Sequence, residues 1–410
     1  MIDAFALVRA VRESATADAK RVIVAKGLRA TSDGYVSIVL PAYLLALGRS
    51  PFEIGALMTA TLLGSALLTL FAGRISGFLG ERRALMAASV LMIATGVGFS
   101  AFTEFWPLLV VAFMGTLNPS SGDVSIFLPL EQSLLARSVA GRDRTLLFAL
   151  YSVSASVMGA LGTLIARTPD FVVRFGIDRL TMMRGLFLLY AAIGLAAALL
   201  YSGVKETPHE TKARVSRLGP SRAMVYRLTA LFCVDSFGGG FLVQSIIALW
   251  LFENFHLPIS AAATIFFWTN ILTAVSFFAA VPISKRFGLI NTMVFTHLPA
   301  SMCLLLIPFM PNLYWVMGLL FLRSALSQMD VPTRTSYVMA VVTPPERPAA
   351  ASLTAVPRSL ASAISPIMAG ALLAVSSFGW PMLIGGALKA GYDLSLLRAF
   401  RHIRPPEEIS

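Results

Sequence analysis

The sequence predicts an all-α polytopic membrane protein with twelve transmembrane helices in two pseudo-symmetric six-helix bundles, with both termini cytoplasmic. Of its 410 residues, 57% are hydrophobic and only 13% are charged, whereas soluble domains carry about 25% charged residues. The apolar residues also fall into blocks of roughly 20, the length of helix that crosses a bilayer. Because lipid offers the backbone no hydrogen bonds, each block must satisfy its own N–H and C=O groups, as a helix does.

The distribution of basic residues predicts the orientation. An even number of spans puts both termini on one side, and if that side is cytoplasmic, most of the 33 Lys and Arg fall in cytoplasmic segments, as the positive-inside rule requires. The connection between helices 5 and 6, with four arginines, is the exception. We therefore expect a multi-pass protein of the cell (inner or plasma) membrane. The predicted spans are 28–47, 51–72, 84–102, 107–138, 146–166, 183–203, 225–252, 259–283, 289–309, 312–342, 349–375 and 378–396.

One long polar connection, from Lys205 to Arg222, divides the chain almost in half. The N-terminal residues mix charged and small side chains and lack the apolar core of a cleaved signal. The predicted organisation is a cytosolic or interfacial segment (1–27), an N-terminal six-helix bundle (28–204), a cytoplasmic linker (205–224), a C-terminal six-helix bundle (225–396) and a cytoplasmic tail (397–410).

Composition argues against several other classes. The net charge of +12 comes from short basic clusters between apolar blocks and not from one continuous face, so we expect no nucleic-acid partner. Cys233 and Cys303 both lie in apolar blocks, which predicts no disulfide framework. Four scattered histidines and the absence of a GxxxxGK loop argue against an enzyme or an ATP-driven pump. No cofactor or resident metal is expected.

Short similar segments recur in the two halves. The 2–3 connection, Arg74 to Gly80, resembles the 8–9 connection, Pro282 to Gly288, in its Ile-Ser pair and its final Gly. A Pro-centred segment starting at Pro129 has a counterpart starting at Pro332. Both matches are separated by nearly half the chain, which favours two parallel repeats.

The 2–3 connection also carries a loop motif, with Gly73, Gly80, Arg82 and Arg83. Glycines permit a tight reversal between packed helices, and arginines hold the loop in the cytoplasm. With twelve spans, two halves and a central linker, the chain resembles the major facilitator superfamily, in which this loop takes part in gating. Gly77 stands where that family has an Asp, and Glu81 where an Arg is expected, so the charge-pair latch of the family is not predicted. The helix-5 Gly-Pro motif of the family's antiporters is also absent.

Ionisable side chains within spans are expensive in lipid and usually face the interior of the bundle. Lys389 and Asp393 stand four residues apart and predict a structural pair. His297 is interpreted as a buried, hydrogen-bonded side chain. The candidates for substrate binding or ion coupling are Asp33, Asp123, Glu131, Asp235, Arg323, Asp330, Arg334 and Arg358.

Predicted helix 10 is the most informative span, since at about 100° per residue Arg323, Asp330 and Arg334 lie on one face. This stripe carries a surplus positive charge, which either Glu131 from the other half or an anionic substrate would balance. The charges therefore form either a structural or gating salt-bridge network or a binding site. Asp235 has no basic residue within one turn, whereas Asp33 has Arg29. A second sign of a site is the helix-breaking segment Asn118 to Asp123, which is either a discontinuous helix or a loop.

The predicted function is secondary active transport of a small solute by alternating access, coupled to protons. The resemblance slightly favours efflux of a small organic compound. The alternatives are an organic-anion carrier that uses the arginines of helices 10 and 11, a metal-ion exporter, and a non-transporting scaffold or sensor. The expected partners are the lipid bilayer, a small-molecule substrate and protons, and the chain is expected to be a monomer.

Overall fold

The computed structural model describes residues 16–120, 125–137, 141–205, 218–343 and 346–400, and all regular secondary structure in these ranges is helical. Two short 3-10 helices, Val173–Phe175 and Ile307–Phe309, follow α7 and α12. The α-helices are α1 (Ala17–Ala46), α2 (Pro51–Leu79), α3 (Glu81–Ala101), α4 (Phe105–Met114), α5 (Phe127–Arg137), α6 (Gly141–Ile165), α7 (Thr168–Val172), α8 (Arg179–Ser202), α9 (Arg222–Gly240), α10 (Gln244–Phe255), α11 (Ile259–Phe287), α12 (Leu289–Leu306), α13 (Leu313–Leu326), α14 (Asp330–Val341), α15 (Arg347–Val375) and α16 (Trp380–Phe400).

The described residues form two compact units. Unit 1 contains the described residues of Met1–Arg49, Ala60–Lys212 and Pro258–Thr264. Unit 2 contains the described residues of Ser50–Thr59, Ala213–Leu257 and Ile265–Ser410. Helices α2 and α11 therefore contribute residues to both units. The five predicted segments of the chain are not tested by this division. Most of the predicted linker, residues 206–217, lies outside the described residues.

The same pairs of spans pack together within each unit. In unit 1, α1 packs against α6 and α8, and α3 packs against α8. In unit 2, α9 packs against α15 and α16, and α12 packs against α16. Counted from the start of each half, the first span meets the fifth and sixth, and the third meets the sixth. This common pattern agrees with the predicted pseudo-symmetry.

Glycines permit the closest of these helix crossings. A Cβ on Gly34 of α1 would collide with the backbone carbonyl of Gly159 on α6, and a Cβ on Gly162 would collide with that of Thr31. In unit 2, a Cβ on Gly240 of α9 would collide with the carbonyl of Ser362 on α15. Small residues of this kind let helices approach closely in lipid, where no hydrophobic force drives them together.

Among the described residues, eight helical segments are long and apolar enough to cross a membrane, and α4 and α13 are shorter apolar helices. Each of the twelve predicted spans coincides with a helix or with two shorter helices, which agrees with the twelve-helix prediction. Large apolar side chains are exposed on these helices, as a lipid-facing surface requires, including Phe78, Leu199 and Val375.

Three predicted spans are each divided into two helices: 107–138 into α4 and α5, 225–252 into α9 and α10, and 312–342 into α13 and α14. In the last of these spans the helix breaks at 327–329, and Pro332 lies in the first turn of α14, where a missing N–H costs little.

The first helix extends further toward the N-terminus than predicted. Span 1 was expected to begin at residue 28, whereas α1 is one helix of 30 residues from Ala17, capped by the Thr16 side chain. Its outer turn contacts the segment that follows α8, because Arg21 donates to the carbonyl of Gly203 and the N–H of Lys205 donates to Asp18 at 3.2 Å.

The predicted repeat of the 2–3 and 8–9 connections appears in the backbone. Gly80 precedes α3 with φ of 86°, and Gly288 precedes α12 with φ of 83°. Their N–H groups donate to Ser76 and Ser284 respectively, both at 2.9 Å. Positive φ favours glycine at both turns.

Candidate functional site

Charged side chains converge inside unit 2 from α9, α12, α13, α14, α15 and α16. We call this set the unit 2 charge cluster. Its members are Asp235, His297, Arg323, Asp330, Arg334, Arg358, Lys389 and Asp393.

Asp235 is the centre of the cluster. It is 4% exposed, and its two carboxylate oxygens contact different cations. Oδ1 lies 2.7 Å from Nζ of Lys389, and Oδ2 lies 3.1 Å from Nη2 of Arg334. Sequence analysis placed no basic residue within one turn of Asp235, and its partners come from α14 and α16. A buried carboxylate needs such compensation, since an isolated one is very costly.

Arg334 joins Asp235 to Asp330. It pairs with Asp330 one turn earlier on α14, as the sequence predicted, and its guanidinium lies 5.2 Å from the ring centroid of Phe232 and 5.8 Å from that of Tyr392. Its Nε and Nη1 make no hydrogen bond to any other described residue. The side chain is buried, so two of its donor nitrogens remain unused.

His297 and Asp393 form a second pair, between α12 and α16. Nδ1 of His297 lies 2.9 and 3.0 Å from the two oxygens of Asp393, and both side chains are buried. The prediction of a buried, hydrogen-bonded His297 agrees with this geometry. The predicted pair between Lys389 and Asp393 is wrong, because each side chain binds a residue of another helix instead of its neighbour on α16.

A cavity of about 200 Å³ opens beside the cluster within unit 2. Its charged and imidazole lining comes from Arg323, Arg358, Lys389, Arg334, Asp330 and His297. The predicted stripe of Arg323, Asp330 and Arg334 thus lines one cavity. It does so although the predicted span 312–342 is divided into α13 and α14 between Arg323 and Asp330.

Two of the cavity arginines have no carboxylate partner among the described residues. Arg358 donates from Nε to Oγ of Ser236 at 3.1 Å and lies 5.9 Å from the ring centroid of Phe232. In the described ranges, neither Arg358 nor Arg323 has a carboxylate oxygen within 4 Å. The unit 2 charge cluster contains four cationic side chains and three carboxylates, so it has a surplus positive charge even when His297 is neutral. An anion in the cavity would balance that surplus.

Unit 1 contains a separate buried ion pair. Glu131 on α5, 0% exposed, accepts from Nη2 of Arg29 on α1 and from the hydroxyls of Tyr151 at 2.7 Å and Tyr201 at 2.5 Å. The guanidinium of Arg29 lies 3.9 Å from the ring centroid of Phe127. Glu131 and Arg334 each have partners of opposite charge inside their own unit. The pairing of Asp33 with Arg29 stays a prediction.

The predicted gating loop makes a contact that its sequence did not indicate. Oε1 of Glu81, at the position where the family has an arginine, accepts a hydrogen bond of 2.6 Å from Oγ of Ser133 on α5. Ser133 belongs to the repeated segment that starts at Pro129. At Gly77 no other described atom lies within 4 Å of the Cβ position. The side chain of Arg74 lies outside the described part of the chain. The candidate site residue Asp123 also lies outside the described residues.

The metal-exporter alternative gains no geometric support from the described part of the chain. No group of three His, Cys, Asp or Glu side chains there is close enough to hold a metal ion. Two of the candidate carboxylates, Glu131 and Asp235, are instead paired with the cations Arg29 and Lys389.

A helical membrane protein with buried charge networks and a polar cavity among its helices belongs to the class of solute transporters. The family model of the Major Facilitator Superfamily matches residues 22–234 and 228–409, and the chain is a member of that superfamily. The resemblance found in the sequence is thereby confirmed, and the chain is a transporter and not an enzyme.

Similar proteins share the overall architecture at low identity. The uncharacterized membrane protein YJR124C of Saccharomyces cerevisiae is 25% identical, with 94% of each chain covered. The multidrug efflux protein YfmO of Bacillus subtilis is 24% identical, with 90% of each covered. Among solved structures, the nucleoside transporter NupG matches with a TM-score of 0.72 at 12% identity, over 94% of this chain and 99% of that one. The inward-open xylose transporter XylE of E. coli matches with a TM-score of 0.69 at 13% identity, over 93% and 96%.

Proposed function

We propose that the protein is a secondary transporter of the cell membrane that carries a small organic anion, bound in the unit 2 cavity. The observation that carries this proposal is the pair of cavity arginines, Arg323 and Arg358, that have no carboxylate partner within 4 Å among the described residues. Guanidinium groups bind carboxylates and phosphates through two parallel hydrogen bonds. A site that holds unpaired cations at membrane depth gains stability when an anion enters.

The size of the cavity supports a small substrate. About 200 Å³ accommodates a compact carboxylate and little more, if only the described lining is counted. Lys389 also lines the cavity, and its ammonium is a flexible cation that can turn toward a bound anion. We expect Arg323 and Arg358 to bind the anion directly, with Lys389 as a third cation.

Matched ligands test the charge requirement. Benzoate and benzamide have nearly the same shape and differ in charge, as do succinate and succinamide. We expect the anions, and not the amides, to raise the unfolding temperature of the purified protein, since binding to the folded state stabilises it. Flux of the stabilising anion into proteoliposomes then measures transport.

Replacing Arg323 with Gln removes the cation while keeping a polar side chain that forms hydrogen bonds. We expect anion transport to be lost, with expression and monodispersity unchanged. Arg227→Gln is the matched control, because Arg227 is exposed on α9 of the same unit, and it should transport normally. Unchanged anion kinetics in the Arg323→Gln variant would overturn the proposal.

A second candidate is proton-coupled efflux of a neutral or cationic organic compound, acting through Asp235. The name of the relative YfmO, a multidrug efflux protein, supports this candidate. The absence of the antiporter Gly-Pro motif from the fifth predicted span, 146–166, argues against it. Lipophilic cations that stabilise the protein more than benzoate does would favour this candidate. Proton coupling, the direction of transport and the monomeric state stay predictions under both candidates.

A further inference from the structure

The imidazole of His297 faces groups of opposite charge with one nitrogen. Its Nε2 lies 3.5 Å from Nζ of Lys389 and 3.8 Å from Oδ1 of Asp235, while Nδ1 is occupied by Asp393. A neutral imidazole with its proton on Nδ1 donates to Asp393 and offers the lone pair of Nε2 to Lys389. A protonated imidazole has N–H groups at both positions, so it repels Lys389 and is attracted to Asp235.

Lys389 lies between Asp235 and the cavity. In the structure its ammonium contacts Asp235 at 2.7 Å, and it also lines the cavity with Arg323 and Arg358. If the ammonium turned toward an anion in the cavity, Asp235 would keep only Arg334. Oδ1 of Asp235 would then be a buried carboxylate oxygen that has lost its nearest cation, which is strongly unfavourable.

We propose that His297, held by Asp393, binds the coupling proton of this transporter, and that it does so when an organic anion draws Lys389 away from Asp235. The imidazolium then replaces the ammonium as the cation beside Asp235. The proton comes from water and is released when the anion leaves and Lys389 returns. This proposal rests on the anion site described above, and it makes proton and anion bind together and travel in the same direction.

The charged surroundings of the imidazole agree with this exchange. On α16 it faces Lys389 and Asp393, and on α9 it faces Asp235. Helices α13 and α14, which also pack against α12, bring Arg323, Arg334 and Asp330 into the same cavity lining. Both Asp330 and the second oxygen of Asp235 are already paired with Arg334. Lys389 is therefore the cation whose movement changes the charge at Nε2.

Coupling between two binding events is reciprocal, so an anion that promotes proton binding must itself bind more tightly at low pH. Uptake of one proton for each anion makes the affinity change by up to about tenfold per pH unit. The measurement is calorimetric titration of the full-length protein with benzoate and with succinate, in buffers that differ in ionisation enthalpy. The buffer dependence of the heat gives the number of protons taken up.

We expect the wild type to take up close to one proton per anion, and the His297→Asn variant to bind the anion with no uptake. His256→Asn is the matched control, because His256 is exposed and has φ of 50°, a conformation that asparagine tolerates. It should behave like the wild type. Asp393→Asn is the second variant, and it should lower the uptake because the imidazolium loses its buried counter-charge.

The outcomes separate this inference from the proposed function. Heat of binding without proton uptake by the wild type overturns the inference and leaves the anion site intact, as does full uptake in His297→Asn. Proton release on binding overturns it as well, since it indicates exchange of the proton for the anion. Absence of binding heat with both anions overturns the anion site and the inference with it. If His297→Asn fails to fold, the wild type and Asp393→Asn still decide.

Discussion

Replacing Glu131 with Gln tests whether the ion pair of unit 1 is shielded from water. The carboxylate is 0% exposed and accepts from Arg29, Tyr151 and Tyr201. Removing one charge of a buried pair leaves the other uncompensated, which costs about 3–5 kcal/mol. The Gln amide keeps the shape and accepts some of the hydrogen bonds. We therefore expect a loss of about 3 kcal/mol in the free energy of unfolding, the lower end of that range.

The double variant, Arg29→Gln with Glu131→Gln, separates the charge from the shape. With both charges gone, no uncompensated ion is left, and replacing both partners of a buried pair is often close to neutral. We expect the double variant to be more stable than Glu131→Gln alone, with a coupling energy of about 1–3 kcal/mol, as for residues in one network.

The assay is unfolding of the purified protein in mixed micelles by added SDS, followed by tryptophan fluorescence. Glu104→Gln is the control, because the Glu104 side chain is 81% exposed and lies 3.9 Å from Arg49, and surface pairs contribute at most about 1 kcal/mol. A cost for Glu131→Gln no larger than that of the control would refute a buried pair. Additive effects of the two substitutions would refute the coupling.

Two further predictions concern packing and pH. Gly34→Ala places a methyl group against the carbonyl of the facing helix, so we expect a loss of about 1–3 kcal/mol in the free energy of unfolding, whereas Gly77→Ala, which meets open space, should change it little. The Glu346 carboxylate, outside the apolar spans, has its pKa lowered to about 2 from 4.5 by hydrogen bonds from Ser221 and Thr343. A lowered folded-state pKa stabilises above the unfolded pKa, so the unfolding temperature of the wild type should exceed that of Glu346→Gln above pH 4.5, and the difference should shrink as pH falls toward 2.

The sequence predicted the class of fold because lipid imposes strong rules on composition and length. Blocks of apolar residues can cross a bilayer only as helices, and the repeated turns at Gly80 and Gly288 are visible as short similar segments. The stripe of Arg323, Asp330 and Arg334 was also predictable, since helical periodicity places such residues on one side. The three residues line the same cavity although the helix breaks at 327–329. The position of Pro332 did not indicate this break.

The partners of the charges could not be predicted in the same way. Spacing along one helix indicated Lys389 with Asp393 and Arg29 with Asp33, the nearest opposite charges in sequence. In the structure, Lys389 binds Asp235, because contacts between helices depend on rotation and depth that no local pattern encodes. Buried ions take the partner with the best geometry and the least residual desolvation, and for Lys389 that partner is on another helix.

The role of His297 was undervalued for a related reason. One histidine within an apolar span is often a satisfied interior side chain, and its hydrogen bond to Asp393 fits that interpretation. Only the three-dimensional arrangement reveals that its second nitrogen faces both Lys389 and Asp235. The one signal in the sequence was the position of His297 within a span, because an ionisable side chain there is costly and is usually paired or functional.

The length of α1 has a mechanical consequence. At 1.5 Å per residue, its 30 residues form a rod about 45 Å long, longer than the hydrocarbon layer of about 30 Å. Its proline, Pro41, lies near the C-terminal end, so the stretch from Asp18 to Arg29 is uninterrupted helix. A movement of the helix backbone at Arg29 along its axis therefore displaces the N-terminal turn, which contacts Gly203 and Lys205. The start of the polar connection at Lys205 is thus coupled, through α1, to the buried ion pair of Arg29 and Glu131 in unit 1.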